Sequence, residues 1–142
     1  MATRIQTVET EVRARLDALT RAYETRDAEG FLAAFATTEA VMVYGTGLDE
    51  KREGIGAIRK QIERDWAQSE AAAMRLGWTR IAVRGDVAWV AADLDLTFTV
   101  AGERGGAPGR ATFVLVREVG TWKIEHFHCS APALAQDAGS SF

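Results

Sequence analysis

Apolar residues recur at steps of three and four along the first part of the chain: Ile5, Val8, Val12, Leu16, Leu19 and Tyr23, with Arg13, Arg15, Asp17 and Arg21 between them. A helix gathers such positions on one face, so the spacing predicts one long amphipathic helix. Thr3 followed by Gln6 has the form of a capping box at its start. Asp27, after Arg26, is placed to cap a second, short helix with Phe31, Leu32 and Phe35 as its buried stripe. Val41-Met42-Val43-Tyr44 is a β-prone run closed by Gly45 and Gly47, which reads as a first strand. Helical spacing returns from Gly54, through Ile55, Ile58, Ile62 and Trp66, and a third helix is expected to end near Gln68.

The period then changes. Met74 to Val83, Val87 to Val100, Arg110 to Glu118 and Trp122 to Cys129 are β-rich runs with glycine-containing joints. Those joints are Arg84-Gly85-Asp86, a longer glycine-rich hairpin from Ala101 to Gly109, and Val119-Gly120-Thr121. Four strands in sequence imply an antiparallel meander. After Pro132 the pattern is lost, and the tail is expected to fray. Helices first and strands after argue for an α+β fold. The expected architecture is three helices from the N-terminal half packed on a strongly curved, mixed or antiparallel sheet, a cone enclosing a pocket open to water.

Composition removes several alternatives. Hydrophobic residues are 47% and charged residues 26% of the 142 positions, which is ordinary for a globular domain. The net charge is -3 and Lys and Arg are scattered among acids, so no nucleic-acid partner is expected. Met1 to Thr10 holds no apolar core of a signal peptide and no later run is long enough to span a bilayer, so neither a leader nor a membrane partner is expected. Cys129 is the only cysteine, which rules out an intrachain disulfide and a cysteine-built zinc cluster within one chain and suits a reducing, cytoplasmic setting.

Several motifs bear a family likeness. Tyr23, Asp27, Phe31 and Phe35 at intervals of four precede a strand, Gly54 and Ile58 open the third helix, and Gly85-Asp86 precede another strand. Arg110 and Thr112 then lead to Trp122, Ile124, His126, His128 and Ser130 in strict alternation. Together with the order helix, helix, strand, helix, meander, these resemble the SnoaL-like branch of the nuclear transport factor 2-like (cystatin-like) superfamily over about residues 8 to 132. The resemblance implies a single cone domain over 1–132 with a tail at 133–142, a pocket between sheet and helices, and frequent homodimers joined through the outer sheet face. It does not imply one reaction. Relatives resembling ketosteroid isomerases carry an aspartate at the end of the first strand, where this chain reads Val43-Tyr44-Gly45, and polyketide cyclases use an acid on the last strand, where this chain has His126 and His128.

The two histidines are therefore the first candidates for chemistry. Alternation in a strand puts them in one row with Trp122 and Ile124, which are natural core residues, and so on the concave side. Imidazoles there could line the pocket, contact a ligand, or move a proton near neutral pH. Two same-face imidazoles fall short of the three protein ligands of a catalytic zinc site, and neither a metal nor a cofactor is expected. Asp93 and Asp95 alternate with Leu94, Leu96 and Phe98. That apolar row most simply faces the core, which leaves the aspartates on the solvent or dimer side, while Asp93 on the opposite parity would be a ligand contact. Tyr44 and Trp66, at the ends of a strand and a helix, are expected to line the pocket with Tyr23, Ile58, Ile62 and Phe113.

The function expected from these residues is binding of a small hydrophobic molecule. The alternative is an isomerase-, cyclase- or hydrolase-type enzyme using His126 or His128 as acid or base. The opposite row of the last strand, Lys123, Glu125, Phe127 and Cys129, is expected on the outer face, where Phe127 would sit at the centre of a homodimer.

Overall fold

The computed structural model describes residues 2–142, and the side chains of Ala2, Thr3 and Ile5 lie outside the description, so the Thr3 capping box and the place of Ile5 on the stripe lie outside it too. Helix α1 spans Ala2–Thr25. Its stripe of Val12, Leu16, Leu19 and Ala22 is buried, and Arg13 and Arg15 reach from its flanks to Thr79 Oγ1 and the Trp122 carbonyl. A short α2 follows over Ala28–Ala33, with Asp27 as its N-cap accepting from the Gly30 N–H as the sequence implies. After a three-residue β1, Met42–Tyr44, comes a short β2, Lys51–Glu53, which sequence reading missed because Lys-Arg-Glu shows no apolar alternation. Helix α3 is Ile55–Ala67. Arg26 reaches from the α1–α2 joint to the carbonyls of Trp66 and Ser69, supplying a cation to the acceptor-rich end of α3.

Four long strands complete the chain: β3 Ala71–Arg84, β4 Val87–Val100, β5 Glu103–Glu118 and β6 Thr121–Ser130. The six strands form one mixed sheet in the order β2-β1-β6-β5-β4-β3, in which β1 runs parallel to β6 and every other pair is antiparallel. The glycine-rich stretch is not the long hairpin its composition suggested. Val100 pairs with Glu103 across a two-residue turn whose Ala101 and Gly102 both have positive φ, and residues 103–109 continue as strand. There Phe98 lies against Gly105, and Gly106 fits because a Cβ on it would stand 2.6 Å from the Leu96 carbonyl oxygen. Small residues here let neighbouring strands and a ring approach closely.

The consequential irregularity is in β6. Leu115 pairs with Ile124, but Val114 pairs with His126, so Glu125 is an extra residue, a β-bulge. Trp122 and Ile124 face the core before it, and Phe127 and Cys129 face the core after it. Before the bulge the neighbour of β6 is the chain around Ala34 to Ala36, bonded to both backbone groups of Ile124, and after it the neighbour is β1. The bulge sits where the partner changes.

Candidate functional site

Between α1, α2 and α3 on one side and the concave sheet on the other lies a cavity of about 400 Å³. Its apolar walls are Phe31, Val43, Ile58, Ile62, Met74, Leu96, Phe98 and Phe127, with Cys129 beside them. Burial, and secondarily the Glu50 charge, push the Cys129 thiol up to about 11, which keeps it an uncharged thiol at neutral pH.

Its polar residues form one connected network around α3. Ile58 and Ile62 anchor that helix in the core, and Gln61 and Asp65 fall on the same face three and seven residues beyond Ile58. Gln61, 8% exposed, is the one buried amide, hydroxyl or charged side chain among the described residues, and it is fully bonded. Its carbonyl oxygen accepts from Arg52 Nε at 2.8 Å and from Arg64 Nη2 at 3.3 Å. Its amide nitrogen donates to Asp65 Oδ1 at 2.7 Å and to Glu50 Oε1 at 3.0 Å. Tyr23 donates its hydroxyl proton to Asp65 Oδ2 at 2.8 Å. Glu50 is held in place by the Gly47 N–H at 2.8 Å and by Arg64 at 3.3 Å. Burial raises the Asp65 carboxyl above its ordinary range, against the lowering effect of the Tyr23 and Gln61 hydrogen bonds. Burial first, then the Asp65 charge and hydrogen bond, push the Tyr23 phenol up, so it remains a donor at neutral pH.

Of the residues singled out in sequence, Tyr23, Ile58 and Ile62 line the cavity. Trp66 stands behind Tyr23, donating its indole N–H to the Tyr23 carbonyl at 3.1 Å, and buttresses the wall instead of lining it. Phe113 is fully buried one layer deeper, stacked on Phe127 with centroids 4.4 Å apart. Tyr44, His126, His128 and Asp93 are corrections. The bulge at Glu125 reverses the parity of β6, so His126 and His128 point to the outer face while Phe127, expected outside, is 5% exposed in the core. Tyr44, paired with His128 across β1 and β6, is on that outer face too, with its ring 5.4 Å from the imidazole. Asp93 and Asp95 are exposed opposite the buried Leu94, as the apolar row implied, and Asp93 is no part of the cavity.

Sequence reasoning missed Glu50, Arg52, Gln61 and Asp65. One signal was available: on a helix whose apolar stripe is Ile58 and Ile62, polar residues at Gln61 and Asp65 occupy core-facing positions, where an unexplained polar group asks for partners.

A helix-covered cavity on the concave face of a curved, mixed six-stranded sheet defines the α+β cone of the nuclear transport factor 2-like, or cystatin-like, class. Within it the chain belongs to the SnoaL-like domain family, whose profile matches residues 12–134. Solved structures of the same fold include a nuclear transport factor 2-like superfamily protein from Salmonella enterica serovar Typhimurium, with 18% identity, 97% of this chain and 99% of that one covered, and a TM-score of 0.84. A proposed dehydratase of the same family from Streptomyces avermitilis gives 20% identity, coverage of 90% and 98%, and a TM-score of 0.81. A proposed scytalone dehydratase from Novosphingobium aromaticivorans gives 15%, 93% and 89%, and 0.78. At these identities the likeness is one of fold. No curated protein sequence matches the chain.

Proposed function

We propose that this protein binds a small, largely apolar molecule in the cone cavity, with the polar part of the ligand directed at the Tyr23, Asp65, Gln61 and Glu50 network. The observation that carries the reading is the coexistence of about 400 Å³ of space with apolar walls and a single connected polar network. Ligand sites in proteins share that composition, an apolar container with a few convergent polar groups. A structural domain with no ligand would be expected to fill such space with side chains. The test is a thermal-shift screen of planar and alicyclic apolar compounds, repeated on Leu96→Trp, which fills the cavity from β4. Hits lost in Leu96→Trp support the reading; hits that survive it, or a folded wild type with no hits, overturn it.

The outer sheet face supports a homodimer. Tyr44, Trp89 and Trp78 are 39, 40 and 56% exposed, and Met42, Val114 and Trp89 follow one another across β1, β5 and β4 with His126 between the first two. Arg80, Arg84 and Asp93 flank this stripe, with Arg84 over the Trp89 ring at 5.6 Å. An aromatic centre with charges of both signs around it suits a second copy of the same surface. Sedimentation equilibrium should give twice the 15.5 kDa chain mass. Trp89→Glu should halve that value without loss of fold, and a wild-type mass of one chain overturns the dimer. A cytoplasmic setting goes with this reading, since Cys129 has no second cysteine in the chain to pair with.

A further inference from the structure

If the cavity is a ligand site, which is the reading proposed above, its polar network has a definite hydrogen-bonding sign. Two guanidinium groups hold the Gln61 carbonyl oxygen, so the amide is turned with both N–H bonds toward the carboxylates of Asp65 and Glu50. The Tyr23 proton is spent on Asp65, and the Ser69 hydroxyl proton on the Asp65 carbonyl at 2.7 Å. An ionised carboxylate accepts at about four positions and an amide nitrogen has two protons to give. After this accounting the network offers a ligand lone pairs on the Tyr23 oxygen and on both carboxylates, and no proton from Tyr23, Gln61 or Ser69. Arg52 is the one cation among the lining residues, and its Nε is already committed to Gln61 while its Nη2 lies 4.0 Å from Asp49. Thr46, Gln68 and Thr97, the other lining hydroxyl and amide side chains able to donate, are all exposed, and the Cys129 thiol is a weak donor.

From this we infer that the cavity selects an amphiphile whose head is a donor-bearing cation, an ammonium group on an apolar body, seated against Asp65, Tyr23 and Glu50. Charge agrees with the hydrogen-bond count. The lining carries two carboxylates to one guanidinium, and with the Asp49–Arg64 pair behind it the count stays at three to two; a cation entering with its apolar body excludes water from the same carboxylate it neutralises. An anionic head would meet two carboxylates and find, among the network's side chains, only the Nη protons of Arg52, on the side that faces Asp49. An alcohol head could donate one proton but would leave the charge imbalance in place.

The test uses a matched series on one ring system: naphthylmethylamine, naphthylmethanol and naphthoate, each titrated calorimetrically into the wild-type protein at neutral pH. The amine should bind at least about tenfold more tightly than the alcohol, with the carboxylate weakest, in keeping with the larger worth of charge-assisted hydrogen bonds. Asp65→Asn should remove most of the amine's advantage and leave the alcohol within about twofold, since it deletes charge more than volume. Glu50→Gln should give a smaller loss in the same direction, and His128→Ala on the outer face should change neither. Should both network variants fail to fold, the wild-type ranking decides alone. Naphthoate binding as tightly as the amine, or amine and alcohol binding equally, overturns the inference and leaves the ligand site standing. No binding by any of the three, with no hits in the wider screen, removes the site itself.

Discussion

The bulge at Glu125 makes a claim about neighbouring residues that can be checked by substitution. If the parity of β6 reverses there, Phe127 is core and His126 and His128 are surface; without the reversal the assignments exchange. Phe127 is 5% exposed and stacks on the fully buried Phe113 with an interplanar angle of 10°. Truncating a buried phenylalanine costs about 3–5 kcal/mol, from lost transfer energy and the cavity left behind. The well-packed Phe113 side places Phe127→Ala in that range, although its other side borders the cavity and can relax toward it. For a chain of this length, roughly 3–4 °C of midpoint follows each kcal/mol, so Phe127→Ala should melt about 9–20 °C below wild type. Phe127→Glu adds the burial of a carboxylate and should leave no cooperative transition at neutral pH. His128→Ala, exposed and with ring contacts only to Tyr44 and His126 on the same outer face, should stay within about 0.5 kcal/mol of wild type. Urea and thermal unfolding followed by near-UV circular dichroism separate these cases. A folded Phe127→Glu with an unchanged midpoint, beside a His128→Ala several kcal/mol destabilised, would refute the assignment of faces and with it the wall of the cavity.

Three further outcomes are expected. Val119 is exposed and holds a φ of 50°, a region a β-branched residue resists, so Val119→Asn should raise stability by about 1 kcal/mol in a denaturant titration; no gain means the turn carries no strain. Gly106→Ala should cost about 1–3 kcal/mol despite alanine's better backbone entropy, because its Cβ would meet the Leu96 carbonyl; a neutral result would place residues 103–109 outside the sheet. Asp65 titrates above its ordinary 3.8 in the folded state, so the native protein binds more protons than the unfolded chain across that window, and stability should fall as pH climbs through it. That slope should flatten in Asp65→Asn, and an opposite slope assignable to Asp65 would mean that its hydrogen bonds outweigh its burial.

Much of the fold was legible because it rests on periodicity. The stripe of α1, the Asp27 cap, the helix opening at Gly54 and the first and last turns of the meander all follow from spacing and turn chemistry, and the structure has them. β3 begins three residues earlier than its pattern suggested, at the alanine run Ala71 to Ala73, which has little strand propensity of its own; β5 extends back to Glu103 because glycines inside a strand read as loop when the ring and carbonyl that require them come from the neighbouring strand. The site was less legible. Apolar residues at Trp122, Ile124, Phe127 and Cys129 step by two, three and two, and that one wide step is the bulge, but the histidines' own alternation was the louder pattern. Arg52 and Glu50 had no signal, since their roles exist only once a short charged strand and a loop are folded against α3.

Alternation along a strand has two reading frames, and the extra residue at Glu125 moves β6 from one to the other halfway along. The four residues from His126 to Cys129 thus encode two possible cavity walls: Phe127 with Cys129 in the frame observed, or His126 with His128 in the other. Pairing Glu125 as an ordinary strand residue, a one-residue slip of register with no change of sequence, would present two imidazoles to the concave side and turn Phe127 to the outer face. In a fold whose last strand forms part of the cavity wall, the presence of one bulge is therefore a larger chemical determinant than most substitutions, since it decides between an apolar wall and a titratable one while the rest of the cone keeps its place.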